Sequence, residues 1–291
     1  MFTKIDQNTC ERLKIKKHKT MTKIAFIIYR NWAYKILTNT LKKIKKKNII
    51  LITNKIPEFN IKKLKIKKFK IDPNNNILIY KILKNNQVDI AFFYGWSWLV
   101  SNKVIDNFLC ICLHPSKLPL FRGGSPIQNQ ILRGVYDSAV TVFRMNKKID
   151  QGQIFMQKRL SLKGDIKEIL LNISKIGTKI TFKLLNKFNK KKIIFFKQKG
   201  KASFYKRRTE KDNQKNLNDL KKITYYQLHD NLRSLKYPYP GLKVILKNKK
   251  INLIRIKKIK KTFKVTELKK NKYLKLKDSF AEIIKYTVAK F

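Results

Sequence analysis

Residues 21–54, "MTKIAFIIYRNWAYKILTNTLKKIKKKNIILITN", constrain the fold more than any other stretch. The runs "IAFII" (24–28) and "IILI" (49–52) are apolar at consecutive positions, as expected of strands covered on both faces. The segment between them reads as a long amphipathic helix. Strand, helix and strand in that order make a βαβ unit, which commits the chain to an α/β fold with a parallel sheet. No G-x-G-x-x-G turn follows the first strand, so a dinucleotide fingerprint is absent.

The rest of the chain extends this start. Residues 55–70 alternate Lys with apolar residues and are ambiguous, with a short edge strand as one reading. "NNNILIYKILKNNQ" reads as helix, "VDIAFFYG" (88–95) as a strand buried on both faces, "SNKVIDNF" as a short helix and "LCICLHPS" (109–116) as the next central strand. Ser125 and Pro126 are an N-cap and first-turn pair, opening a helix to about Arg133. "SAVTVFRMN" and "QIFMQKRLSL" are strands joined by the turn "KKIDQG", and "DIKEILLNISKIGTKITFKLLNKF" is a long amphipathic helix. Past "KQKGKASF" come a helix, "ITYYQLHDNLRSL", a rigid "YPYPG" turn and paired strands around "NK". The expected organisation is a disordered extension at 1–20, with Met21 as the functional start. A Rossmann-like, mostly parallel catalytic domain at 21–200 and a small β-rich subdomain at 201–291 follow.

Composition excludes little and warns once. The net charge of +53 (70 basic minus 17 acidic) invites a nucleic-acid reading. The excess is nearly all Lys, spread end to end with Ile and Asn, and these three share A/T-rich codons. Compositional drift explains it, so no specific nucleic-acid partner is expected. No apolar run approaches the ~20 residues of a membrane helix, no signal peptide is readable, and three cysteines (Cys10, Cys110, Cys112) make no disulfide framework. A cytoplasmic protein without membrane attachment is expected.

Against such drift, exceptions are informative. Five of the nine Gly and three of the seven Pro lie between 95 and 152. Arg122, Arg133, Arg144, Arg159, Arg207 and Arg208, six of only ten Arg, fall near the same region or near "KRRT". These residues specify backbone geometry and fixed donors, so the shape of "LHPSKLPLFRGGSPIQNQILRG" (113–134) is being held.

The chemistry-bearing residues sit at the carboxyl ends of strands, where parallel sheets place ligands. His114 ends one strand, "GWSW" (95–98) ends its neighbour, and Asp150 lies in the following turn. A carboxylate beside an imidazole fixes its tautomer and favours its charged form, giving an acid/base pair. Taken singly, each has a plainer reading: a strand-end polar residue, turn chemistry, core or rim aromatics. Cys110, Cys112 and His114 alternate along one strand and share a face, which raises a metal site. Residues two apart on a strand stand roughly 6–7 Å apart, too far for adjacent ligands on one Zn²⁺, and no second ligand cluster exists, so no metal is expected.

The stretch "HPSKLPLFRGGSPIQNQILRG…VTVFRMNKKIDQGQI" resembles the 10-formyltetrahydrofolate-dependent formyltransferases, the group that includes methionyl-tRNA formyltransferases. Their pattern of Asn-x-His, "SLLP", "RG..P" and "D-x-G-x-I" is matched by His114, "SKLP" (116–119), "RGGSP" (122–126) and "DQGQI" (150–154). The similarity runs from about residue 22 to 200, resumes weakly at "KRRT" and "YPYPG", and fails after about 257. The resemblance implies that His114 acts on the tetrahedral intermediate, with Asp150 tuning it and helping to remove the amine proton. It implies an oxyanion-steadying Asn where this chain has Cys112. It implies a 10-formyltetrahydrofolate co-substrate, without metal, held by Trp96, Ser97 and Trp98 and by the loop Asn146, Lys147, Lys148, Ile149 and Asp150.

Two acceptors fit that resemblance, initiator methionyl-tRNA or a nucleotide-linked amino sugar. The tRNA enzymes carry a Gly- and Arg-rich basic loop after the second strand, where this chain has "NKIPEFNIKKLK". "YRNWAYKIL" and "GWSW" look like the sugar N-formyltransferases, so the sugar nucleotide is the expected substrate. A non-catalytic relative that binds folate or a sugar nucleotide is the remaining reading. Oligomeric state is left open, a homodimer among the options.

Overall fold

The computed structural model describes residues 10–12, 22–54, 64–246, 249–259 and 273–288. In chain order its first elements are β1 (Cys10–Arg12), β2 (Ile24–Ile28), α1 (Asn31–Leu41), β3 (Ile49–Thr53), β4 (Lys67–Lys70), α2 (Asn76–Asn85), β5 (Ile90–Tyr94), α3 (Asn102–Asn107) and β6 (Leu109–His114). Then come β7 (Arg122–Gly123), α4 (Pro126–Ile131), β8 (Asp137–Arg144), β9 (Ile154–Ser161), α5 (Ile166–Asn189), β10 (Ile194–Phe196) and β11 (Phe204–Tyr205). The last are β12 (Gln214–Asn216), α6 (Leu217–Lys221), α7 (Tyr225–Leu235), β13 (Leu242–Ile245), β14 (Lys250–Ile259), β15 (Tyr273–Lys275) and β16 (Phe280–Val288).

The apolar runs become the centre of a nine-stranded sheet ordered β1-β10-β9-β8-β6-β5-β2-β3-β4. Strands β6, β5, β2, β3 and β4 are parallel neighbours, with Ile28 paired to Tyr94 and Tyr94 to Leu113. Direction reverses at β8, which pairs antiparallel with β6 through His114 and Thr141. β2, β3 and β5 are buried at every position, because helices cover both faces. On one face Ala25, Ile27, Ile52, Phe93 and Cys110 pack with Ile79, Ile82 and Leu83 of α2 and Val104 of α3. On the other, the Tyr94 and Thr181 hydroxyls meet at 3.1 Å, and Ser174 of α5 donates to the Trp32 carbonyl of α1 at 3.0 Å. The Phe26 and Phe92 rings meet there in a tilted pair, centroids 5.1 Å apart, and are fully buried, each contributing about 1.5–3 kcal/mol.

The ambiguous 55–70 stretch contributes β4 as an edge strand, its residues 55–63 lying outside the described residues. The expected disordered extension at 1–20 also falls mostly outside them. Its described part, Cys10–Arg12, pairs antiparallel with β10.

The chain divides into two compact units. One comprises 1–122, 138–161 and 170–204; the other takes 123–137, 162–169 and 205–291. In the second unit a five-stranded sheet, β12-β13-β14-β16-β15, shares a core with α6 and α7 that includes Leu220, Leu228, Leu232, Val244, Leu253 and Ile283. Thr224 and Gln227 close a reciprocal capping box at the start of α7, and Gln128 of α4 donates to the Ser234 carbonyl. Among the described residues no helix is long and apolar enough to cross a membrane.

One local expectation is corrected. Pro126 does open α4, but the helix ends at Ile131, and Ser125 does not cap it. Ser125 adopts a left-handed conformation (φ 49°), which turns its hydroxyl away from the first-turn amides; the hydroxyl accepts from the Arg208 amide instead, at 3.2 Å. Gly124 beside it has no alternative, since a Cβ there would fall 2.3 Å from Arg207 Cα.

Candidate active site

Parallel register places the ends of β6 and β5 side by side, so His114 and the 95–98 segment are neighbours. Loop 115–121 turns back over His114. It is braced by Ser116, whose hydroxyl donates to the Leu120 carbonyl at 2.7 Å, and by Thr141, which donates to the Ser116 carbonyl at 2.6 Å. Gln157 of β9 donates to the Leu118 carbonyl at 2.8 Å. The result fixes the Phe121 carbonyl 2.7 Å from His114 Nε2.

Asp150 arrives from the loop after β8. That loop leaves at the level of Cys110, whose carbonyl accepts from the Met145 amide at 2.8 Å, and returns where the Arg144 amide donates to the Gln153 carbonyl at 2.9 Å. Such a closed return needs Gly152, because a Cβ there would lie 1.7 Å from the Arg144 oxygen. Between those points Asp150, itself at φ 53°, sets Oδ2 3.5 Å from His114 Nδ1. Both side chains are largely buried.

Both imidazole nitrogens therefore face oxygens. The Phe121 carbonyl can only accept, so Nε2 is the nitrogen that donates to it, and Nδ1 faces the Asp150 carboxyl. A carboxyl beside an imidazole in so sheltered a position can pass protons between the two groups.

Cys112 shares the strand face of His114, and burial, followed by the Asp150 carboxylate, pushes its thiol well above the usual range. It is held as a neutral thiol, a weak donor and not a nucleophile. Burial pushes Cys110 up to about 12, and its thiol points to the Val104 carbonyl, within the core. Among the described residues no three His, Cys, Asp or Glu converge as a metal site.

Trp96 and Trp98 lie 5.0 Å apart, and Tyr29, at the end of β2, joins them 4.8 Å from Trp98. The Tyr29 and Ser97 hydroxyls meet at 2.7 Å, and the Arg30 guanidinium sits over the Tyr29 ring at 4.5 Å. Trp96 packs partly on the core, yet its indole N–H is buried with no partner among the described residues. In the second predicted segment, Asn146 accepts from the Lys148 amide at 3.1 Å, an Asx turn, and Lys147 pairs with Asp106 at 3.2 Å on the surface. Ile149 is exposed, as is Lys148. His114, Asp150 and Cys112 thus come together, with Trp96–Trp98 beside them. Sequence reasoning missed Tyr29, whose signal was its place at the carboxyl end of a central parallel strand. It also missed Gln157 and Gln198, the latter donating to the Asp150 and Gly152 carbonyls at 2.8 Å each.

A family model described as "Formyl transferase" matches residues 23–171. Methionyl-tRNA formyltransferases are among the similar curated proteins. That of Wolbachia pipientis subsp. Culex pipiens (strain wPip) is 26% identical over 174 residues, covering 58% of this chain and 55% of its own. That of Buchnera aphidicola subsp. Acyrthosiphon pisum (strain Tuc7) is 31% identical over 157 residues, 53% and 47% of the two chains. This chain spans about half the length of these relatives. Among solved structures, methionyl-tRNA formyltransferase from Clostridium thermocellum superimposes with a TM-score of 0.68 at 20% identity, over 93% of this chain and 100% of its own. The N-formyltransferase from Helicobacter canadensis, in complex with folinic acid and dTDP-3-aminofucose, gives 0.67 at 18% identity, over 92% and 100%. At these identities the structural likeness is one of fold.

Proposed function

This chain belongs to the formyl transferase family, and we propose that it moves a formyl group from 10-formyltetrahydrofolate to the amine of a nucleotide-linked amino sugar. The observation that carries the chemistry is the His114–Asp150 pair, 3.5 Å apart and sheltered beside the Trp96–Trp98 segment. Formyl transfer requires a proton taken from the attacking amine and one given to the departing nitrogen, and a carboxylate–imidazole pair can do both. When bound, the folate supplies an electrophilic formyl carbon and the nitrogen that leaves it. Asp150 takes the proton shed by the amine; His114 gives its proton to the leaving nitrogen and is reloaded across the pair. The Phe121 carbonyl keeps the ring in place throughout.

The residues present fit the co-substrate. Trp96, Ser97, Trp98 and Tyr29 offer an aromatic surface, and the buried, unpartnered Trp96 indole N–H calls for an acceptor from a ligand. The loop Asn146–Asp150 offers backbone amides. Cys112 would face the developing oxyanion with a neutral thiol, where an amide would donate more strongly.

The acceptor reading rests on the chain after β3, "NKIPEFNIKKLK", which has neither Gly nor Arg to make a tRNA-binding loop. The second reading, methionyl-tRNA as acceptor, is favoured by the names of the curated relatives. Competition separates them: the purified chain and 10-formyltetrahydrofolate are offered an amino-sugar nucleotide panel and methionyl-tRNA together. Formylated sugar nucleotide as the main product supports the first reading, and formylmethionyl-tRNA as the main product replaces it with the second. Folate binding without any formylated product would leave a non-catalytic binding protein.

A further inference from the structure

We propose that the segment Gln198–Ser203 is a positioning strap that holds both partners of His114 in place. The inference rests on the reading of His114 and Asp150 as the proton-handling pair. It begins from strain: the two groups facing the imidazole come from residues with left-handed backbones, Phe121 at φ 57° and Asp150 at φ 53°. Neither is glycine, and such conformations persist only where the surroundings over-determine them.

The surroundings are one short stretch of chain. Ser203 takes the Phe121 side: its hydroxyl accepts from the Phe121 amide and its carbonyl from the Arg122 amide, each at 2.9 Å, while its own amide donates to the Pro119 carbonyl at 3.2 Å. Gln198 takes the Asp150 side. Its Nε2 donates to the carbonyls of Asp150 and Gly152, and its Oε1 accepts from Arg122 Nη2 at 2.7 Å and Nε at 3.2 Å. The amide orientation follows from the partners, since two carbonyls need donors and a guanidinium needs an acceptor. Only a carboxamide of this length joins a paired acceptor to a fork of donors. Glutamate would turn an oxygen toward the carbonyls, asparagine would fall a methylene short, and methionine would make neither contact. Through Arg122 the two halves of the strap are also tied to each other. Gln198 and Ser203 touch no reacting atom in this account, so both are positioning residues.

The test uses the full chain with Gln198→Met, Gln198→Glu and Ser203→Ala, and Lys199→Ala as a control, Lys199 being exposed. Two readouts are taken: steady-state formyl transfer, and the ring-nitrogen signals of His114 in ¹⁵N-histidine-labelled protein, assigned with His114→Asn. A strap predicts that each Gln198 variant lowers kcat about 10- to 100-fold, as expected for a displacement near 1 Å. It predicts KM values within about twofold, because substrate contacts are untouched. Gln198→Glu, which keeps its Arg122 partner, should lose as much as Gln198→Met. The His114 ring-nitrogen signals should shift from their wild-type positions in every strap variant and stay put in Lys199→Ala. Wild-type kcat in a folded Gln198→Met protein overturns the proposal. So does a loss of kcat with His114 signals unchanged, which would assign Gln198 to folding or to substrate contact. Should Gln198→Met not fold, Ser203→Ala and Gln198→Glu decide on the same two readouts. If the wild type formylates no acceptor, the functional reading falls, while the ring signals still decide whether the strap positions His114.

Discussion

Adding one methyl group at Gly152 should displace Asp150 without altering it. A Cβ at this position lies 1.7 Å from the Arg144 oxygen, 2.8 Å from its carbonyl carbon and 3.0 Å from Phe143 Cδ2. A carbon and a carbonyl oxygen relax to about 3.3 Å, so something must move by roughly 1.6 Å. Arg144 is anchored by pairing with Ile111, inside the sheet, so the turn yields. The Arg144–Gln153 backbone bond opens, and the Asp150 carboxylate, now 3.5 Å from His114, withdraws to roughly 5 Å. Misplacement on that scale lowers turnover by on the order of 100-fold, equivalent to about 2.7 kcal/mol in the barrier. The overpacking itself costs about 1–3 kcal/mol of stability, small enough to leave a folded protein measurable by circular dichroism. Steady-state formyl transfer at saturating substrates is the assay. A folded Gly152→Ala protein with kcat within about threefold of wild type would refute the reasoning, because the pair would then not need its geometry.

The remaining predictions concern the oxyanion position and the charge. Cys112→Asn should keep or raise the formylation rate, because a neutral amide donates better than a thiol; a rate more than about tenfold lower would remove Cys112 from that role. Because burial and Asp150 push the Cys112 thiol upward, its thiolate is scarcer than that of an exposed cysteine at the same pH. Iodoacetamide near neutral pH should therefore leave the Cys112 peptide unmodified by mass spectrometry, and rapid alkylation there would revive a thioester route. tRNA should bind weakly and release steeply with added salt, as non-specific phosphate contacts do; binding that survives physiological salt in a filter assay would count against the sugar acceptor.

The parallel half of the sheet was legible because burial on both faces leaves a direct mark: every residue of "IAFII", "IILIT" and "IAFFY" is apolar or small enough to bury. His114, Asp150 and Gly152 stood out because His, Asp and Gly are scarce in a chain drifting toward Lys, Ile and Asn. What holds them in place was not legible. The partner of His114 Nε2 is a backbone carbonyl, which any residue carries, and the residues that restrain Phe121 and Asp150 come from "QKGKAS", a polar stretch with no periodicity. The edge strand β1 and its neighbour β10 were missed for a related reason, since three-residue strands are too short to show alternation. Ser125 misled because serine before proline usually signals a cap, and only the backbone angle showed that its hydroxyl was turned elsewhere.

The central claim is that His114 and Asp150 drive formyl transfer to an amine on a nucleotide sugar. The most direct test supplies the purified chain with 10-formyltetrahydrofolate and nucleotide sugars bearing an amine at C3 or C4. Tetrahydrofolate release and N-formyl product are followed together, for wild type, His114→Ala and Asp150→Asn. The account predicts that wild type yields equal amounts of both products with at least one sugar, and that each variant falls by at least about 100-fold. A His114→Ala protein that turns over like wild type, or a wild type that formylates methionyl-tRNA faster than every sugar, would contradict it.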